Sequence, residues 1–124
     1  LEENIIWANN ISYNNIHRYY IDADIVVSVP SSDSSPASVY EAIACGKTVI
    51  VSNLPWIDNN FEKNKHIITV PVKNEEILAE KIINVINNKI KVDHLDAYRI
   101  VNEKYNHKIE NKRLEDFYYK LLSK

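Results

Sequence analysis

Apolar residues along this chain form two patterns: short β-branched runs, and longer stretches with a helical period. Ile25-Val26-Val27-Ser28-Val29 and Thr48-Val49-Ile50-Val51 are runs of strand length without clean apolar–polar alternation. Such runs suit strands covered on both faces, as in a parallel sheet. Between them Ser35 stands where an N-cap belongs, Pro36 takes the first helical position, and Gly46 closes the helix behind Cys45. A helix between two such strands is a βαβ unit. Its loop at the carboxyl end of the first strand is where sheets of this kind bind ligands.

The remaining pattern extends that unit in both directions. Ile5-Ile6-Trp7 predicts a short strand, and Ser12 can cap a helix over 13–20 with Ile16, Tyr19 and Tyr20 as a partial apolar stripe. Asn53-Leu54-Pro55-Trp56 reads as a turn, followed by a polar stretch with room for one helical turn. His66 to Val70 predicts a further strand, ended by Pro71. Asn74 can cap a helix over 75–88, in which Ile77, Leu78, Ile82, Val85 and Ile86 keep the helical period. Glu75 and Glu76 sit in its first turn, favourable against the positive end of the helix dipole. Helices over 93–105 and 108–122 complete the chain, the last with Leu114, Phe117, Tyr118, Leu121 and Leu122 along one side. Strands alternating with helices predict an α/β fold: a Rossmann-like, three-layer parallel sheet with helices on both faces.

Composition narrows the function classes. The 124 residues suffice for one domain with a usable core. A formal net charge of −2 argues against a general nucleic-acid binder. No apolar run approaches the roughly 20 residues of a spanning helix. Cys45 is the single cysteine, so no internal disulfide can form, and a reducing cytoplasm fits. His17, His66, His94 and His107 fall at no ligand spacing, which speaks against zinc, and one glycine rules out a P-loop or a dinucleotide fingerprint. Trp7 and Trp56 read as packing residues, with Trp56 also placed to line a site at the sheet's carboxyl edge. Lys63, Lys65, Lys89 and Lys91 read as solvated loop lysines, with contact to an anionic membrane as the alternative.

The candidate chemistry lies around the central helix. With Pro36 at its first position, the amides of Ala37 and Ser38 point out of the helix start with no partner within the helix. Together with the dipole and the hydroxyls of Ser34, Ser35 and Ser38 they would seat a phosphate. Glu41 follows Ala37 by four and Ser38 by three, hence lies one turn down the same face. Asp33 lies on the other side of the amides. Carboxylate, anion seat, carboxylate is the order that a nucleoside diphosphate sugar requires: sugar hydroxyls, two phosphates, ribose diol. The spacing is equally that of a capped helix start with no ligand. A glycoside-hydrolase pair fits less well, because nothing suggests a raised pKa or sugar-stacking aromatics. The ligand assignment collapses if Glu41 is locked in the interior or turned to the far side of the central helix.

Asp24 to Ser52 resembles the donor-binding signature of the GT-B glycosyltransferases, specifically the large retaining family four of the glycosyl transferases group 1 type. Members commonly show ADIFVLPS, then E-G-x-P-x-x-x-x-E-A-M-A-C-G, then P-V-V-x-S. This chain has ADIVVSVPS, D-S-S-P-A-S-V-Y-E-A-I-A-C-G and T-V-I-V-S. The resemblance implies that Asp33, in place of the family's first glutamate, faces the donor sugar. It also implies that Glu41 binds the ribose and that the amides near Ala37 and Ser38 hold the diphosphate. Retention of anomeric configuration without a metal or other cofactor is implied as well. So are a nucleotide sugar as co-substrate and a glycan or lipid-linked acceptor in surface polysaccharide or glycoconjugate assembly. The expected location is the cytoplasm, with peripheral contact at the inner face of the membrane.

Departures from the pattern shape the expectations. Asp33 is one methylene shorter than glutamate, which shortens its reach. The family's glycine-containing turn and following acid are replaced by Asn53-Leu54-Pro55-Trp56-Ile57-Asp58, with Asp58 as the stand-in acid. The family's opening strand, its Arg- and Lys-bearing phosphate segment and its N-terminal acceptor domain are not in this sequence. The chain therefore reads as one domain over 1–124, the later part of a donor-binding domain and inactive alone. A non-catalytic interaction module and a sugar-nucleotide 2-epimerase of the same architecture are the alternatives.

Overall fold

The computed structural model describes residues 2–32, 37–58, 61–105 and 119–122. Its elements run α1 (Tyr13–Asp22), β1 (Ile25–Ser28), α2 (Ala37–Ala44), β2 (Thr48–Ser52), β3 (Ile68–Val70), α3 (Glu75–Ile86) and α4 (His94–Tyr105). Short 3-10 turns lie at Glu2–Asn4 and Pro55–Ile57. The three strands form one parallel sheet in the order β1-β2-β3, with Ile25 opposite Thr48, Ser28 opposite Val51, and Ser52 opposite Val70.

The β-branched run in β2 explains its central place. Val49, Ile50 and Val51 are all buried, which a strand achieves only when both of its faces are covered. On one face Val49 and Val51 join Val39, Tyr40, Ala42 and Ile43 of α2 with Ala97 and Val101 of α4. On the other, Ile50, Ile68 and Val70 pack against Ile77, Leu78, Ile82 and Val85 of α3. The result is the expected three-layer α/β, Rossmann-like arrangement. β1 and β3 are the edges of this sheet, and Val27 of β1 is 41% exposed.

Local chemistry sets the element ends. Gly46 adopts φ +75°, and its N–H donates to Ile43 O at 2.9 Å while Lys47 N–H reaches Ala42 O at 3.2 Å. This left-handed stop ends α2 where the sequence predicts. Asparagine does the same work elsewhere: Asn9, Asn64 and Asn88 are all left-handed, in a chain with one glycine. Asn74 caps α3, its side chain accepting from Ile77 N–H at 3.0 Å. Lys47 Nζ donates to Ile21 O at 2.9 Å, placing a cation at the carboxyl end of α1.

Several expectations change. Ile5-Ile6-Trp7 is not a strand; Ile6 is 90% and Trp7 81% exposed, with no described strand beside them to complete a ladder. The Ser12 hydroxyl makes no cap bond to the helix amides; Asn15 Nδ2 donates to it instead, at 3.1 Å. Of the predicted α1 stripe, Ile16 and Tyr20 are partly buried while Tyr19 is half exposed, and His17 is buried beside them. Helix α3 ends at Ile86, short of the expected 88. The proposed cap Ser35 and Pro36 lie outside the described residues, as does most of the predicted helix over 108–122; residues 119–122 are helical. No helix among the described residues is long and apolar enough to cross a membrane.

β3 starts at Ile68 rather than His66 because His66 serves a different contact. Its Nδ1 accepts from Glu62 N–H at 2.9 Å, and Nε2 donates to Asp96 Oδ2 at 2.7 Å. Nδ1 therefore carries no proton. Asp96 also takes Arg99, and Lys65 Nζ stands 3.6 Å away. The cluster ties the loop before β3 to α4, next to the bond from Asp93 N–H to Lys65 O at 2.7 Å.

Three outcomes follow from these contacts. Hydrogen bonds from Arg99 and His66 hold the Asp96 carboxyl well below the usual carboxylate range. A depressed folded-state value contributes stability that is complete above the unfolded value of 3.8 and is lost as pH falls below it. Asp96→Asn should therefore lower the melting temperature at pH 7 and flatten its decline below pH 4, read by thermal unfolding against pH. Gly46→Ala should cost about 1 kcal/mol through backbone strain alone, since an added Cβ meets nothing within 4 Å; urea unfolding measures it. Burial pushes the Cys45 thiol up to about 12, so alkylation by iodoacetamide at pH 8 should be slow in the folded chain and fast in denaturant.

Candidate functional site

Parallel topology fixes where the site lies. The chain leaves β1 at Ser28, enters α2 at Ala37 and returns as β2, so the start of α2 stands at the carboxyl edge of the sheet. That edge carries a narrow, nearly apolar cleft lined by Ser28 and Pro30 after β1, Val39 of α2, Val51 and Ser52 of β2, and Leu54 and Trp56 beyond. Its free space, open to solvent, is about 160 Å³. Pockets that enclose a drug-sized ligand run to roughly 300–1,000 Å³. The cleft formed by the described residues is therefore too small to enclose such a ligand by itself.

The six donor-binding candidates divide in two. Asp33, Ser34 and Ser35 lie outside the described residues. Ala37, Ser38 and Glu41 are described, and all three belong to α2. Ala37 is half-buried and Ser38 is exposed. Their amides fall in the first turn of the helix, where no carbonyl of the preceding turn can accept from them.

Glu41 lies in the interior, the placement that counts against it as a ligand residue. Helical spacing puts it one turn below Ser38, on a face expected to be open to a ligand, yet it is only 2% exposed. The reason is the packing of α2 as a whole. Val39, Tyr40, Glu41, Ala42 and Ile43 are consecutive and all buried, so the helix is enclosed nearly all round rather than on one stripe. Its charge is felt at the Cys45 thiol, one turn further on.

The turn after β2 also departs from the expected arrangement. Asp58, the proposed stand-in acid, is exposed and pairs with Lys63 at 3.0 Å; it is not part of the cleft wall. Trp56 is both a packing residue and a cleft residue. It is 7% exposed and meets Tyr40 edge-on, with ring centroids 6.1 Å apart at 89°. Phe61 completes the group, 6.2 Å from Trp56 and 6.1 Å from Tyr40. The sequence signal for this cluster was weak: three aromatics at irregular spacing on three different segments.

Comparison with known proteins adds one positive finding. A search of curated proteins gives no match to the chain. Residues 1–107, by contrast, match the family model described as Glycosyl transferases group 1, which spans the whole βαβ unit, the sheet and α4. The chain belongs to the group 1 glycosyltransferase family.

Proposed function

We propose that this chain is the later part of the donor-binding domain of a GT-B glycosyltransferase of the retaining type, acting on a nucleoside diphosphate sugar. The observation that carries the reading is positional. Within the stretch matched to the family, α2 begins at the carboxyl edge of a parallel sheet, beside the cleft that Val39 and Trp56 line. In this reading the Ala37 and Ser38 amides take the diphosphate, with Ser34, Ser35 and Ser38 hydroxyls in support. Asp33 accepts from hydroxyls of the donor sugar, and Glu41 accepts from the ribose diol.

The chemistry assigned to these groups is modest and specific. They hold the donor and oppose the charge that grows on the departing diphosphate. The acceptor hydroxyl attacks from the face the leaving group vacates, so the anomeric configuration is kept and no carboxylate here becomes covalently attached. A glycan or lipid-linked acceptor, surface polysaccharide or glycoconjugate assembly, and a cytoplasmic place at the inner membrane face belong to the same proposal. The diphosphate's positively charged partners and the acceptor site would come from other parts of the protein. The burial of Glu41 adds a requirement: its carboxylate has to be uncovered for a ribose to reach it.

Glu41→Gln in the full-length enzyme is the direct test, because it keeps the side-chain volume and removes the charge. Hydrogen bonds to charged groups contribute about 1.5–3 kcal/mol, so donor KM should rise roughly tenfold to a hundredfold. A wild-type donor KM in that variant, with or without a lower melting temperature, makes Glu41 a structural acid and removes it from the site. For the chain itself, titration with UDP, GDP and ADP followed by amide NMR should move resonances gathered at residues 33–41. Scattered or absent shifts with all three nucleotides count against the anion seat.

A further inference from the structure

α2 has only eight residues. Isolated helices shorter than about 12–15 residues are marginal in water, so its position and rotation are set by what it packs against. Rotation matters here, because each helical residue turns about 100° around the axis. A slip of one residue would carry Glu41 to a different side and re-aim the first-turn amides.

One contact among the described residues is suited to fix that angle. Tyr40, directly before Glu41, meets Trp56 at 6.1 Å and 89° and Phe61 at 6.1 Å and 34°. Trp56 and Phe61 meet each other edge-on at 6.2 Å and 87°. The three rings close a triangle drawn from three segments: α2, the 3-10 turn Pro55–Ile57, and the link to β3. Edge-to-face pairs are directional, unlike aliphatic contacts, and resist rotation of a ring within the group. Trp56 also stands on the cleft wall together with Val39, the residue on the other side of Tyr40. Pro55 starts the turn that carries Trp56, so the indole is held from a stiff base. Beyond the triangle Phe61 lies edge-on to His66 at 6.3 Å, and His66 is bonded to Asp96 of α4.

We infer that Trp56 is a positioning residue for the donor site: its ring, locked against Tyr40 and Phe61, sets the rotation of α2 and thereby where Glu41 and the Ala37 and Ser38 amides stand. This rests on the donor-site reading above. Trp56 need not touch the nucleotide; it acts through Tyr40. Replacing the indole by Leu or Met removes the two edge-on contacts and leaves part of the core space empty, so stability falls. The cost falls on nucleotide binding as well, because α2 then samples rotations that do not present the site.

The test uses the full-length enzyme with Trp56→Leu, Trp56→Met and Trp56→Phe beside Glu41→Gln. UDP, GDP and ADP are titrated by calorimetry at a temperature where circular dichroism shows every variant folded. Trp56→Leu and Trp56→Met should weaken the nucleotide that binds wild type by about tenfold and raise donor KM rather than lower kcat. Trp56→Phe, which keeps a ring on Tyr40, should recover most of that loss. Trp56→Met provides the comparison if Trp56→Leu does not fold. Wild-type affinity in the Leu or Met variant, with Glu41→Gln impaired, overturns the role of Trp56 and leaves the donor site standing. Wild-type affinity in Glu41→Gln, or no binding of any of the three nucleotides to wild type, overturns the donor-site reading and this inference with it.

Discussion

Burial of β2 on both faces is the constraint from which the rest of the structure follows. Val49 and Val51 point to one layer and Ile50 to the other, so helices are needed on either side before the strand is stable. α3 covers one side, and α2 with α4 covers the other. A fully buried valine or isoleucine contributes about 1.5–3 kcal/mol, which makes this strand worth several surface ion pairs. The same demand draws the short α2 down between the sheet and α4, and it is that helix whose first turn faces the carboxyl edge.

Enclosing α2 has a consequence for its one acid. A buried carboxylate keeps its charge only where hydrogen bonds or charges compensate it, and Glu41 is 2% exposed in a helix whose residues 39–43 are all buried. Access to the carboxylate and its burial are therefore coupled: a ligand that reaches it replaces protein contacts rather than water.

Much of the fold was legible because its signals are local. The β-branched runs of β1 and β2, the Gly46 stop and the Asn74 cap each depend on a few adjacent residues, and each stands where the pattern puts it. Signals that depend on distant partners were not legible. Ile5-Ile6-Trp7 has strand propensity, but propensity without a neighbouring strand does not make a ladder. His66 looks like the first residue of a strand until Glu62 N–H and Asp96, thirty positions away, claim both ring nitrogens. The candidate site shows the same division. The helix start at Ala37 and Ser38 could be located from Pro36 and Gly46, whereas the burial of Glu41 comes from the enclosure of α2 nearly all round, which helical periodicity does not reveal.

Charge limits what the start of α2 could do for a diphosphate in the proposed site. Cations with defined partners are committed elsewhere: Lys47 to the end of α1, Lys63 to Asp58, Lys65 and Arg99 to Asp96. Lys73 does lie at the carboxyl edge, in the left-handed turn before α3, but beyond β3 and so on the far side of β2 from β1. The start of α2 itself supplies the helix dipole and its amides, worth about 0.3–1 kcal/mol for each charge at an exposed position. Micromolar binding corresponds to about −8 kcal/mol. The gap is several-fold, so the dipole and amides alone do not account for tight binding at this edge. The amides of α2 can orient a phosphate; they do not hold one tightly by themselves.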